Sequence, residues 1–107
     1  MKILLVKCHP RIDSLTFKVS ESFKKGLLEA NNIVEELDLY RTDFNPILFH
    51  EDEPTNGKLS SYSKIVQSEF SRLKENDAVV MIFPLWWWSM PALLKGWIDR
   101  VWNYGLT

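Results

Sequence analysis

The chain is predicted to be an α/β domain built on a doubly wound parallel sheet with strand order 2-1-3. Three observations lead there. Strand-like and helix-like patterns alternate as βαβαβα along 107 residues, an order that gives parallel strands joined by right-handed crossovers. Two of the strands, Ile3 to Val6 and Ala78 to Phe83, are unbroken apolar runs of the kind buried on both faces of a parallel sheet. The strand between them, Ile33 to Leu39, carries Glu35, Glu36 and Asp38 and belongs nearer a sheet edge.

The first strand stops at Cys8-His9-Pro10, and the polar turn Arg11-Ile12-Asp13-Ser14 supplies capping residues for a helix. Leu15, Val19, Phe23, Leu27 and Ala30 then recur every three or four positions as one helical face, closed by Asn31-Asn32. From Tyr40 to Lys58 the residues Asn45-Pro46, Pro54 and Asn56-Gly57 mark a long connection without periodicity. Its acidic group Glu51, Asp52, Glu53 is expected to be a solvated face. Tyr62, Ile65, Val66, Phe70 and Leu73 define a second helix ended by Asn76-Asp77, and the third strand is expected to be fully buried. After a loop, Pro91 is expected in the first turn of a third helix whose one side holds Leu94, Trp97, Ile98 and Val101.

Size and composition narrow the function. The chain is expected to form one domain over residues 1–107. Thirteen basic against fourteen acidic residues leave a formal net charge of −1, so no overall field favours a nucleic acid or an anionic membrane. A single cysteine, Cys8, excludes an internal disulfide framework and fits a reducing, cytoplasmic setting. The apolar run from Ala78 to Leu94 is too short and too interrupted by Pro84, Pro91 and three tryptophans to serve as a membrane span. Neither His9 nor His50 has a partner at metal-ligand spacing, and no metal is expected.

In a sheet of order 2-1-3, ligands bind beyond the carboxyl ends of the strands where the order reverses. The two loops there are Cys8 to Thr16 and Pro84 to Met90. The first opens onto a helix N-terminus, where free N–H groups and the dipole favour a phosphate. No glycine precedes Gly26, so dinucleotide-fingerprint and P-loop cradles are excluded, and hydroxyls such as those of Ser14 and Thr16 must serve instead. Asp13 or Ser14 also reads simply as an N-cap, and His9 as a phosphate contact or the closure of a turn. In the second loop, Trp86-Trp87-Trp88 cannot all point into one core, because successive side chains face different directions. An exposed indole there suits a flat conjugated ring. Gap-filling and an oligomer interface are equally open uses of these side chains.

The stretch Phe83-Pro84-Leu85-Trp86-Trp87-Trp88-Ser89-Met90-Pro91-Ala92-Leu93-Leu94-Lys95-Gly96-Trp97-Ile98-Asp99-Arg100-Val101 resembles the F-P-L-x-W-[FWY]-x-[MV]-P-A-x-L-K-G-W-x-[DE]-R-V signature of the flavodoxin-like NAD(P)H dehydrogenase (quinone) family, of the DT-diaphorase and drug-activity-modulator type. His9 with Asp13-Ser14-Leu15-Thr16, and Asp38-Leu39-Tyr40 with Phe44-Asn45-Pro46-Ile47, are similar to further family segments. The resemblance covers the N-terminal half of a five-stranded family fold and implies a chain truncated at the C-terminus. It implies a bound flavin, FAD ahead of FMN, with NAD(P)H as cosubstrate, a quinone or similar acceptor, two-electron hydride transfer and a homodimer. It places His9, Ser14, Leu15 and Thr16 at the flavin's phosphate and ribityl chain, and Pro84, Leu85, Trp86, Trp87 and Trp88 along the isoalloxazine ring. Trp86 stands where the family often has glutamine or tryptophan, and Ser89 where it often has glycine. Gly96 is expected to serve close packing. The family's Gly-rich loop and its tyrosine and histidine side chains over the ring are expected beyond Thr107, and catalytic residues with them. The alternative to an enzyme is a non-catalytic flavin-binding or dimerisation module or accessory subunit. An electron-transfer flavodoxin fits less well, since the Thr/Gly-rich phosphate loop is missing.

Overall fold

A computed structural model describes residues 1–53 and 59–102; the turn signals at Pro54 and Asn56-Gly57 and the segment Asn103 to Thr107 lie outside them. The elements are β1 (Lys2–Lys7), α1 (Leu15–Glu29), β2 (Ile33–Asp38), α2 (Lys64–Lys74), β3 (Ala78–Ile82) and α3 (Ala92–Val101), with short 3-10 turns at His50–Asp52 and Leu59–Ser61. All strand pairs are parallel and the order is β2-β1-β3, as the sequence predicts. Leu4, Leu5 and Val6 of β1 are completely buried, as a central strand flanked by two others and covered on both faces requires.

Parallel register places Leu4 opposite Val79 and Val6 opposite Met81. These residues face α3 and build the main core with Cys8, Leu37, Leu39, Phe44, Leu94, Trp97 and Val101. The Cys8 thiol is pushed up to about 11 by burial, so it stays protonated and inert. Edge strand β2 is polar because its acids have partners. Glu35 accepts from Arg72 Nη1 at 3.1 Å and from Asn76. Glu36, one residue on and facing α1, accepts from Lys24 at 2.9 Å and Lys7 at 3.2 Å.

Three expectations are corrected. The strand β3 is half-buried along its length, because it has β1 on one side only and α1 covers little of its near face. The apolar stripe of α1 is largely uncovered: Leu15, Val19, Phe23 and Ala30 are exposed and Leu27 half-buried, while Thr16 and Ser20 face inward. The helix lies mainly over β1 and β2, so this stripe looks past β3. The third correction concerns Asp52, which is not solvated.

Asp52 is fully buried and joined to Arg100, Nη2 to Oδ2 at 2.7 Å, while Ser63 donates its N–H and O–H at 2.8 and 3.0 Å. Arg100 also donates to the Asn45 carbonyl at 2.8 Å and lies over the rings of Phe44 and Phe49. The long connection is thereby fastened to α3. Gly96 belongs to the same contact: a Cβ there would overlap the Cα, Cβ and carbonyl of Pro46, so the close packing expected of this glycine is against a loop. Pro91 sits at the N-cap of α3, one position before the first turn, with Lys95 N–H bonded to its carbonyl.

Candidate functional site

The switch between β1 and β3 forms a cavity of about 430 Å³ lined by His9, Arg11, Ser14, Leu15, Thr16, Val19, Ile82, Phe83, Pro84 and Leu85. The structure therefore brings six of the nine sequence-predicted site residues, His9, Ser14, Leu15, Thr16, Pro84 and Leu85, to one cavity. Trp86 adjoins it through His9, their rings meeting edge-on at 5.7 Å. Trp87 and Trp88 lie outside that cavity and, with Leu85, line a neighbouring recess.

Around the N-terminus of α1 the groups are polar. Ser14 caps the helix, its Oγ accepting from Phe17 N at 3.3 Å. Capping uses a lone pair and leaves the hydroxyl proton free to donate, so both uses of Ser14 weighed from the sequence are open to it. The N–H groups of Leu15 and Thr16 have no carbonyl four residues back within the helix. Arg11 adds a cation; its pair with Asp13, 3.4 Å between two well-exposed side chains, holds it only loosely. His9 Nδ1 accepts from Arg11 N at 3.0 Å, which in the neutral ring puts the proton on Nε2. This end provides hydroxyls, N–H groups and a guanidinium, the donors an anion needs. The rest of the lining, Leu15 and Val19 of α1 with Ile82, Phe83, Pro84 and Leu85, is apolar.

The tryptophan loop has an unusual backbone. Trp86 and Ser89 exchange N–H···O bonds of 2.9 and 3.1 Å, closing a two-residue turn. Both central residues, Trp87 at φ 51° and Trp88 at φ 66°, are left-handed. That is the φ signature of a type I′ turn, usually filled by Asn-Gly. The turn exposes 95% of Trp87 and 91% of Trp88. Neither fills a gap in the core, which removes one of the uses left open from the sequence. Bulky residues held left-handed and exposed at a ligand-binding switch point are a reason to look for function there.

Sequence reasoning missed Arg11, Val19, Ile82 and Phe83 as lining residues, and missed Arg41, whose guanidinium donates to the His9 and Pro10 carbonyls of the first loop. Arg11 belongs to the Cys8-to-Thr16 loop at the strand switch. Arg41 is distant in sequence, and only the pairing of β2 with β1 brings it near. Among the described residues no three His, Cys, Asp or Glu side chains converge on a metal position, and no helix is long and apolar enough to cross a membrane.

Escherichia coli YcaK, an uncharacterized NAD(P)H oxidoreductase, is 49% identical over 99% of this chain and 55% of its own length. Rattus norvegicus NAD(P)H dehydrogenase (quinone) 1 is 30% identical over 94% of this chain and 42% of its own. The solved NAD(P)H:quinone oxidoreductase of Methanothermobacter marburgensis superposes with a TM-score of 0.90 at 39% identity, covering 98% of this chain and 54% of that one. The chain thus spans about half the length of the relatives it matches. The family described as having the flavodoxin-like fold matches residues 1–107, and the chain belongs to it.

Proposed function

We propose that this chain is the flavin-binding part of an NAD(P)H:quinone oxidoreductase, a single domain that a further C-terminal portion completes, working in the cytoplasm as a homodimer. The observation that carries the reading is the cavity at the strand switch, with anion donors around the N-terminus of α1, an apolar wall shared by α1 and the end of β3 with its loop, and exposed indoles beside it. Its volume lies within the usual range for small-molecule sites, and a flavin nucleotide has the matching parts: a phosphate, a flexible polyol and a flat conjugated ring. The residues present fit the group.

In this reading the Ser14 and Thr16 hydroxyls, the first-turn N–H groups and Arg11 hold the phosphate. His9 donates from Nε2, and Leu15 packs on the polyol chain. Pro84 and Leu85 border the ring, and Trp86, Trp87 and Trp88 shield its exposed edge from water. When bound, the flavin supplies the hydride acceptor and donor between NAD(P)H and a quinone. The chain contributes binding, orientation and exclusion of water, which raise the strength of every polar contact around the ring. Both FMN and FAD carry the phosphate assigned to the first loop, and FAD is the resemblance's preference. The second reading is a flavin-binding or dimerisation module without turnover.

Titration of the purified chain with FMN and with FAD tests the proposal. Saturable quenching of flavin fluorescence is expected, weakened at least several-fold by Trp87→Ala. Absence of saturable quenching with either flavin sinks the reading. Flavin-dependent oxidation of NADH or NADPH with menadione separates enzyme from module.

A further inference from the structure

The loop after β1 has no glycine and no dense network of its own, yet one external side chain grips it. Arg41, just past the end of β2, donates from Nη1 to the His9 carbonyl at 3.0 Å and from Nη2 to the Pro10 carbonyl at 2.9 Å. Two residues, Asp38 and Phe17, flank it in turn. The Asp38 carboxylate lies 3.6 Å from Nε and accepts from Arg41 N at 3.3 Å, and the guanidinium lies over the Phe17 ring at 5.3 Å. A planar fork held this way reaches two successive carbonyls, which a lysine ammonium on a flexible stem does not reproduce.

The grip passes on through one peptide group. The Pro10 carbonyl and the Arg11 N–H belong to the same rigid plane and point in opposite directions. With the carbonyl held by Arg41, the N–H is aimed the other way, and it donates to His9 Nδ1 at 3.0 Å. That bond makes Nδ1 an acceptor and leaves the neutral ring's proton on Nε2. Residue 10 is a proline and has no N–H, so the His9–Pro10 peptide offers no competing donor. The chain of contacts runs from Arg41 through the Pro10–Arg11 peptide to the imidazole that lines the cavity.

We propose that Arg41 is a positioning residue of the first loop: its fork to two carbonyls sets the tautomer and orientation of His9 and so prepares the loop for the phosphate of a flavin nucleotide. The phosphate half of this statement rests on the function proposed above; the His9 half does not. Because the effect acts at the phosphate end, loss of Arg41 should separate flavins that carry a phosphate from riboflavin, which does not.

The test uses the whole 107-residue chain with Arg41→Ala and Arg41→Lys, each checked for native circular dichroism. Nitrogen NMR of the ring across a pH series reports the tautomer of the neutral form, and His50→Gln assigns His9. The expected result is a predominantly Nε2–H ring in the parent and a mixture of tautomers in both variants. FMN should bind about tenfold more weakly in both variants and riboflavin unchanged. A parent-like His9 spectrum in Arg41→Ala overturns the proposal. So does an Arg41→Lys that matches the parent in both measurements, since charge and not the fork would then suffice, or an equal loss for riboflavin and FMN, which would mean a general loosening. If the parent binds no FMN, the flavin reading fails and the His9 spectra alone decide whether Arg41 positions the ring.

Discussion

At the scale of residues, the best-determined feature of the chain is one that its sequence pattern misrepresents. Glu51, Asp52 and Glu53 look like three solvated acids, and two of them are exposed, but Asp52 is sealed beneath Arg100 and Ser63. Burial alone would raise its pKa. The Ser63 N–H, the Arg100 guanidinium and the Ser63 hydroxyl outweigh burial and hold the carboxyl below the usual carboxylate range. A group whose native pKa is depressed stabilises the fold fully above its unfolded value near pH 4 and loses that contribution as pH falls through the native value. Removing the charge from a buried pair leaves the Arg100 guanidinium uncompensated, a loss of about 3 kcal/mol in comparable sites. Asp52→Asn is therefore expected to lower stability by about 3 kcal/mol at pH 7, and the gap to the parent should narrow as pH drops from 5 toward 3. Urea unfolding at several pH values measures both. A constant gap across that range would mean that the carboxylate's charge is not what fastens the loop to α3. No composition rule could have separated Asp52 from its neighbours, because the distinction is made by Arg100, remote in sequence and brought near only by the packing of α3.

Among the elements, the turn from Trp86 to Ser89 shows a local sequence choice at odds with local backbone preference. Left-handed φ costs a residue other than glycine about 1–2 kcal/mol, and Trp87 and Trp88 meet that cost with almost no burial in return. The double change Trp87→Asn with Trp88→Gly supplies the residues a type I′ turn prefers. After allowing for the greater unfolded freedom of glycine, it is expected to stabilise the chain by about 1 kcal/mol. If the indoles shield a flavin, the same variant should lose most of its flavin quenching, so the melting temperature rises while affinity falls. A rise in both would remove the tryptophans from the site. Element identity was legible where a single physical requirement dominates. Acidic β2 had to lie at an edge, and the Pro91-to-Val101 pattern had to be a helix with Leu94, Trp97 and Val101 inward; an unbroken apolar run did not decide position by itself, since β1 is central and β3, with the same pattern, lies at an edge. The turn type was not legible, because Trp-Trp carries no left-handed signal. The burial of α1 was not legible either: periodicity defines a stripe, and only the position of the helix over β1 and β2 decides whether it is covered.

For the whole molecule, incomplete cover is the controlling fact. The radius of gyration is 14.5 Å, against about 13 Å for a compact domain of this length, as expected of a three-stranded slab. Among the described residues β3 pairs with β1 alone, and its sequence, Ala78-Val79-Val80-Met81-Ile82, has neither the charge nor the proline that blunts a free edge. Val79 and Met81 are used in the core with α3. Val80, opposite Leu5 in the register, lies on the other face, and on that side the stripe of Leu15, Val19 and Phe23 is exposed. The strand edge and the helix stripe meet at the cavity, where Ile82 and Leu85 join Leu15 and Val19. The site and the uncovered flank are therefore continuous, so whatever covers the flank also closes one side of the cavity. The fold class and the two loops could be read from sequence because strand order follows from connectivity. The open flank of β3 was legible for the same reason, since three strands in this order leave β3 without a second neighbour; the exposed stripe of α1 beside it was not, because periodicity does not say what covers a face. An edge of this kind recruits another strand, and the 107-residue chain is expected to self-associate at concentrations on the order of tens of micromolar. Sedimentation velocity should show a concentration-dependent shift to dimers or larger species, and Val80→Lys, which places a charge on the open face, should shift the population toward monomer. Flavin added to the parent should compete with association if the shared surface is used by both. A parent that remains monomeric across that range would mean that the half-buried β3 and the stripe on α1 are tolerated as ordinary surface.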